Sequence, residues 1–121
     1  MTTTAHASDD DHEATYQAFK ELVNMTASTL DRWLETDDSK EVGWKGEDGD
    51  GPGESVGHRS GRRIVEILHT KKAELTGADY RHMAKVVGYI RRHVAQKPGG
   101  DTSGTRWEKS LKNWGHDPSK A

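Results

Sequence analysis

The chain has 121 residues, a mean hydropathy of −1.00 and a formal net charge of −2, which fits one small domain with a limited core. It contains no cysteine, so disulfides, thiolate metal sites and cysteine nucleophiles are excluded. It has no run of about 18 apolar residues and no secretion pattern in its first twelve residues, so we expect a cytoplasmic protein without a membrane span.

The first elements are predicted to be two short helices. Residues 1–10 are predicted to be an acidic, flexible tail, and Asp9 to Asp11 stand where carboxylates stabilise a helix start. Apolar residues at helical spacing then predict a helix from about Asp11 to Asn24. Thr26 or Ser28 caps a second helix, which ends near Thr36.

A glycine-rich stretch follows from Asp37 to Gly57, with six glycines, Pro52 and several acids. This composition does not pack as a regular element, so we predict a mobile loop. Trp44 is its unusual member. It either anchors the loop to the core or is exposed for stacking on a base or a partner.

The third helix is predicted to begin at Ser60 or Gly61 and to end near Lys72. The fourth is the best-defined element, since Thr76 caps it, Asp79 lies in its first turn, and Pro98 follows its predicted end near Gln96. One face of this helix is apolar: Tyr80, Met83, Val87, Ile90 and Val94. The opposite face holds four residues within about 60° of each other: Arg81, Lys85, Gly88 and Arg92.

The end of the chain is predicted to be a linker over residues 97–104 and a short last helix containing Trp107 and Leu111. Trp114 to Pro118 form a turn, and tryptophans near a terminus usually dock back onto the domain. We therefore predict a single all-α domain over residues 11–118. It is a small bundle of four main helices plus a short C-terminal helix.

The charges are sorted along the chain. From His58 to Lys97 there are ten Lys or Arg against three Asp or Glu, a net charge of +7. The residues before His58 carry four bases and fourteen acids, a net charge of −10. Such polarity is typical of a protein with an electrostatic partner, and nucleic acid is the commonest such partner. The alternative is that the charges only solvate a helical face.

One local cluster suits the binding of a phosphate or another anion. Glycines let the backbone approach a ligand, N–H groups at a helix start point outward, and arginines offer forked donors. The cluster lacks the spacing of a nucleotide-hydrolysing loop. Alternatively, its serine is only a cap, its glycines form turns, and its arginines pair with the acidic half. Its residues are Gly57, His58, Arg59, Ser60, Gly61, Arg62 and Arg63.

Together with the fourth helix, this cluster would present six cations on one surface: Arg59, Arg62, Arg63, Arg81, Lys85 and Arg92. Some four to six phosphate contacts predict a salt slope of roughly −4 to −5 and little dependence on DNA sequence. Enzyme motifs are missing, since the seven histidines form no HExxH pattern and no serine lies in a nucleophile elbow. We expect no metal and no cofactor.

Seven groups of residues resemble the uncharacterised bacterial and fungal family called domain of unknown function 3140. They are Asn24-Met25-Thr26, Trp33 to Thr36, Gly57-His58 with Ser60-Gly61-Arg62, Ile64 to Leu68, His82-Met83 with Lys85-Val86-Val87, Arg92-His93 with Ala95-Gln96, and Asn113 to Pro118. The resemblance covers about Tyr16 to Pro118. Members are often labelled as DNA-binding proteins, so it implies that function without assigning any residue. At position 59, where many members are expected to have an acid, this chain has Arg59.

The leading hypothesis is a non-enzymatic nucleic-acid-binding accessory protein that grips the phosphate backbone of DNA. If so, the acidic tail competes with DNA, and deletion of residues 1–12 tightens binding. A second hypothesis is an interaction module, in which the acidic half of one copy meets the basic half of another in a homo-oligomer. A third is an enzyme acting on an anionic small molecule held at Arg59 to Arg63. No membrane partner is expected.

Overall fold

The computed structural model describes residues 3–42 and 56–120, and for residues 3–10 it describes the backbone alone. Every regular element in these segments is helical, which confirms the predicted all-α class. The helices are α1 (Thr3–Leu22), α2 (Ala27–Leu34), α3 (Asp37–Glu41), α4 (Val56–Leu68), α5 (Gly77–Ala95) and α6 (Arg106–Asn113), with 3₁₀ turns at Lys72–Glu74 and Pro118–Lys120. The five predicted helices correspond to α1, α2, α4, α5 and α6.

Threonine side chains start four of these helices. Thr26, Thr36 and Thr105 each accept a hydrogen bond from a backbone N–H in the first turn of α2, α3 and α6. Thr76 forms a full capping box with Asp79 at the start of α5. These bonds satisfy N–H groups that a helix leaves unpaired at its start. The caps expected at Thr26 and Thr76 are therefore present.

Three helix boundaries differ from the prediction. α1 begins at Thr3, because residues 3–10 contain no Gly or Pro to stop a helix, so Asp9 to Asp11 lie inside it and do not cap its start. The predicted loop contains α3, whose cap at Thr36 was not recognised. α4 begins at Val56, four residues before Ser60. The remainder of the loop, residues 43–55 with Trp44, lies outside the described residues.

The two longest helices lie side by side and run in the same direction. His12 of α1 stacks on Tyr80 of α5, with ring centroids 4.0 Å apart. Further along both helices, Ala18 and Val87 line one groove. α2 packs against α4, and α6 contacts both of them. The centre of the core is formed by fully buried apolar side chains: Phe19, Leu30, Ile64, Met83, Ile90 and Leu111.

Asn113, at the end of α6, is a buried polar hub. Its Oδ1 accepts hydrogen bonds from Trp33 Nε1 (2.8 Å) and from Ser39 Oγ, and its Nδ2 donates to the Ser39 carbonyl (3.0 Å). The amide therefore connects α2, α3 and α6 and has no exposed surface. Buried polar groups with all partners present fix one arrangement of the elements around them.

The turn after α6 is fastened to the turn after α1. Asp117 N donates to Asn24 Oδ1 (2.7 Å), and Asn24 Nδ2 donates to the Asp117 carbonyl (3.1 Å). His116 Nδ1 donates to the Leu22 carbonyl (2.7 Å). Gly115 has a φ of +83° and lies against Val23, where a side chain would be strained. Two of the segments that carry the family resemblance thus meet as a structural clamp.

None of the helices in the described part of the chain has the length and apolar content needed to cross a bilayer.

Candidate anion-binding site

α5 presents the cationic face predicted from its sequence. Arg81, Lys85 and Arg92 are exposed, while Met83 and Ile90 on the opposite face are fully buried. Val94 was predicted on the buried face, but it is 40% exposed. Val94 lies in the last turn of α5, where the neighbouring His93 makes the contact with α6 by stacking on Trp107.

Glycines make room for two of the guanidinium groups on this face. A Cβ at Gly88 would lie 3.3 Å from Arg92 Nη1, and one at Gly77 would lie 3.5 Å from Arg81 Nη1. Both arginines therefore lie back over the preceding turn, as helical side chains tend to do. This conformation brings the Arg92 guanidinium toward Lys85.

A groove with two lobes runs between the start of α4 and the exposed face of α5. The aromatic lobe, of about 210 Å³, is lined by Tyr89 and Trp114, with Arg92 and Ser110 beside them. The cationic lobe, of about 310 Å³, is lined by Arg59, Ser60, Arg63 and His82. Val56 and Lys85 line both lobes, so the lobes adjoin. None of the described residues that line the groove is acidic.

The cations of the groove differ in how far they are neutralised. Arg59, Lys85 and Arg92 are exposed. Arg63 is half-buried, and its Nη2 lies 2.6 Å from Asp79 Oδ1. The pKa of Asp79 is lowered by the backbone N–H and the hydroxyl of Thr76 and by the Arg63 charge, so the carboxylate stays ionised beside that arginine. Arg63 therefore contributes less free positive charge than its neighbours.

His82 and Ser60 form the polar floor of the cationic lobe. The Ser60 hydroxyl lies 2.9 Å from His82 Nε2. Burial lowers the pKa of His82, and the positive charges of Arg63 and Lys85 lower it further. The imidazole is therefore neutral at pH 7, and the charge of this lobe comes from its arginines and lysine.

The wall of the aromatic lobe is formed by stacked rings from α5, from α6 and from the residue that ends α6. Tyr89 and Trp114 have centroids 4.1 Å apart and planes 13° apart, and His93 follows on the other side of Tyr89 at 5.1 Å. Trp107 lies next to His93 at 6.1 Å and donates from Nε1 to the His93 carbonyl. Burial raises the pKa of Tyr89. These contacts hold the ring of Trp114 in one place.

The glycines of the predicted cluster serve helix packing. A Cβ at Gly61 would lie 2.5 Å from the Asn113 carbonyl oxygen and 2.6 Å from Leu34 Cδ2, and one at Gly57 would lie 3.1 Å from Trp114 Nε1. α4 therefore approaches α2 and α6 closely at these positions. The expectation that both glycines allow a ligand to approach is wrong for Gly61, which is buried between helices, whereas Gly57 also borders the aromatic lobe.

The remaining predicted residues divide between the interior and the surface. His58 is buried, and its Nε2 lies 2.7 Å from the Leu34 carbonyl oxygen. Ser60 is also buried and lies inside α4, so it does not cap that helix. Arg62 and Arg81 are exposed but lie outside the two lobes. The structure thus brings Arg59, Lys85 and Arg92 together at one groove, whereas His58 and Gly61 are buried.

Sequence reasoning missed the aromatic lobe. Tyr89 lies on α5, but its stacking partner Trp114 is 25 positions away and follows α6. No local spacing connects the two. The described residues also contain no group of three side chains able to hold a metal ion, and each lining residue of the groove is a cation, a neutral polar group or an apolar group.

Comparison with known proteins identifies the family. Residues 18–112 match the family described as "Protein of unknown function (DUF3140)". No curated protein and no solved structure matches the chain. The family match covers most of the described helices, from α1 to α6. The chain therefore belongs to the DUF3140 family, as the resemblance of its segments, Asn24-Met25-Thr26 among them, predicted.

Proposed function

We propose that this protein is a non-enzymatic nucleic-acid-binding accessory protein of the cytoplasm, and that its groove and the exposed face of α5 contact the phosphate backbone of DNA. One observation carries the proposal: Arg59 from α4 and Lys85 and Arg92 from α5 border one groove whose described lining contains no acid. A cationic concavity of this kind concentrates a polyanion.

The number of available cations sets the expected salt dependence. Arg59, Arg81, Lys85 and Arg92 are exposed, whereas Arg63 is held by Asp79. About four phosphate contacts predict a slope of about −3.6 in a plot of log binding constant against log salt. This lies below the steepest value expected from the sequence, because two of the six cations are not counted: Asp79 holds Arg63, and Arg62 of α4 lies outside both lobes. Between about 50 and 200 mM salt, affinity should fall about 100-fold.

The test is duplex DNA binding by fluorescence anisotropy over a salt series, with two neighbouring arginines compared. Arg92→Gln removes a cation from the groove, and we expect the slope to become shallower by about 1. Arg91→Gln removes the same charge from a different surface, where Arg91 lies beside Ala14 and Ala18 of α1, and should leave the slope unchanged. The proposal fails if the wild type does not bind at low salt or if the two variants behave alike.

The same salt series tests self-assembly, for which α2, the residue that follows it and α3 supply the exposed acids Asp31, Glu35 and Asp37. In that case sedimentation detects an oligomer at low salt, and the oligomer dissociates as salt screens the contacts. A monomer that binds DNA at low salt favours the proposal. An oligomer that does not bind DNA favours assembly through acidic and basic halves.

A further inference from the structure

We propose that the groove binds a nucleoside monophosphate, with the base in the aromatic lobe and the phosphate in the cationic lobe. The inference rests on the proposed function and deepens it. The ligand is either a free nucleotide or the phosphorylated 5′ end of a strand. Both present the same chemistry, a planar heterocycle joined through a sugar to a phosphate monoester.

The aromatic lobe has the surface that a base requires. Tyr89, Trp114 and Val56 give it apolar walls. The faces of the two rings are engaged, since Trp114 is 4% exposed and stacks with Tyr89 and His82, and Tyr89 also stacks with His93, so a base would contact ring edges and Val56. Apolar contact of this kind tolerates every base, because each base has an apolar surface. The Asn113 amide borders the lobe, but its Oδ1 and Nδ2 are already engaged by Trp33 and Ser39. The lobe should therefore accept bases without selecting one.

The cationic lobe suits a monoester better than an internal phosphate of a strand. A phosphate monoester carries a charge of about −1.5 to −2 at pH 7, whereas a backbone diester carries a single negative charge. Arg59 and Lys85 are exposed at this lobe, and the Arg59 guanidinium offers a forked pair of donors.

The aromatic lobe and the cationic lobe lie close together, because Val56 and Lys85 line both of them. Sites for small molecules commonly measure about 300–1,000 Å³. The aromatic lobe alone, at about 210 Å³, is below that range, and the cationic lobe, at about 310 Å³, is at its lower limit. If one ligand occupies both lobes, their combined volume falls within that range. A ligand with a ring at one end and a phosphate at the other uses both.

The test is calorimetric titration of the full chain with adenosine 5′-monophosphate, adenosine and inorganic phosphate. We expect the nucleotide to bind about tenfold or more tightly than either of its parts, since apolar contact and charge then act together. A second arm compares a short single-stranded oligonucleotide with and without a 5′-phosphate. Preference for the phosphorylated strand identifies a strand end as the ligand, and binding of the free nucleotide alone identifies a small molecule. Nucleotide binding no tighter than that of inorganic phosphate overturns the inference.

Two substitutions separate this inference from the proposed function. Ser110→Leu places an apolar side chain in the aromatic lobe and removes a hydroxyl that hydrogen-bonds to Tyr89. It should weaken nucleotide binding about tenfold and leave the affinity for inorganic phosphate unchanged, because Ser110 does not line the cationic lobe. Arg59→Gln, at an exposed position, should weaken both nucleotide and duplex binding, and Arg106→Gln at an exposed position of α6 is its control. If duplex DNA binds with the expected slope but Ser110→Leu leaves nucleotide affinity unchanged, the nucleotide site alone is refuted. If the wild type binds neither duplex DNA nor the nucleotide, both proposals are refuted.

Discussion

Replacement of Gly61 by alanine tests whether this glycine permits close packing of helices. Alanine is favoured over glycine inside a helix by about 1 kcal/mol, so the substitution would stabilise the protein if space allowed. The added Cβ, however, would lie 2.5 Å from the Asn113 carbonyl oxygen and 2.6 Å from Leu34 Cδ2. A backbone carbonyl cannot rotate away, so α4 and α6 must separate. Overpacking of this kind costs about 3 kcal/mol. We therefore expect a net loss of about 2 kcal/mol in the free energy of unfolding.

Gly88→Ala is the matched control, because Gly88 also lies inside a helix. Its new Cβ meets only the end of the Arg92 side chain, at 3.3 Å, and that flexible group can move. We expect Gly88→Ala to stabilise the protein by about 0.5–1 kcal/mol. Urea denaturation followed by circular dichroism measures both variants. If Gly61→Ala is within about 0.5 kcal/mol of the wild type and instead loses DNA binding, the packing argument is refuted and the ligand-approach interpretation is restored.

Three further outcomes follow from contacts away from the glycines. Asn113→Ala removes three hydrogen bonds at a fully buried hub and should lower the free energy of unfolding by about 3 kcal/mol, whereas a loss under about 1 kcal/mol in urea denaturation contradicts that role. Asp79→Asn removes the nearer of two carboxylates at Arg63 and leaves Glu66 Oε1 at 3.6 Å, so the DNA-binding salt slope should steepen by no more than about 1 while stability falls by about 0.5–1 kcal/mol. An unchanged slope argues against neutralisation by Asp79. Burial lowers the pKa of His82 and of His93 below 6.5, so the unfolded chain takes up protons first and stability falls as the pH drops below that value. Denaturation at about pH 7 and about pH 5 should show this fall, and His82→Gln should lessen it; an equal fall in the variant assigns it to other groups.

Local signals were sufficient to predict most of the helices. α5 was predicted from residues within one segment, since its Thr76 cap, apolar period and stop at Pro98 are all contiguous. The start of α4 was not predictable in this way. Gly57 and Gly61 resemble turn residues in sequence, and their actual role depends on how closely α6 approaches, which only the fold decides.

The candidate site was also predictable only where its residues lie close together in the sequence. The cationic face of α5 follows from residue spacing alone, so Lys85 and Arg92 were predicted together. Asp79 neutralises Arg63 although the two residues are 16 positions apart and lie on different helices. Periodic patterns within one helix do not predict such a pair. The predicted set of cations was therefore broader than the set that the fold leaves available at the groove.

The clamp between Asn24 and Asp117 has a consequence for the kinetics of folding. These residues are 93 positions apart, so the turn after α1 gains its partner only when nearly the whole described chain is present. Contacts of such high sequence separation slow folding, because a long loop must close before they form. During synthesis, the contacts between the turn after α1 and the turn after α6 should therefore form only when α6 is complete. Refolding should be slow for an all-helical protein of this size.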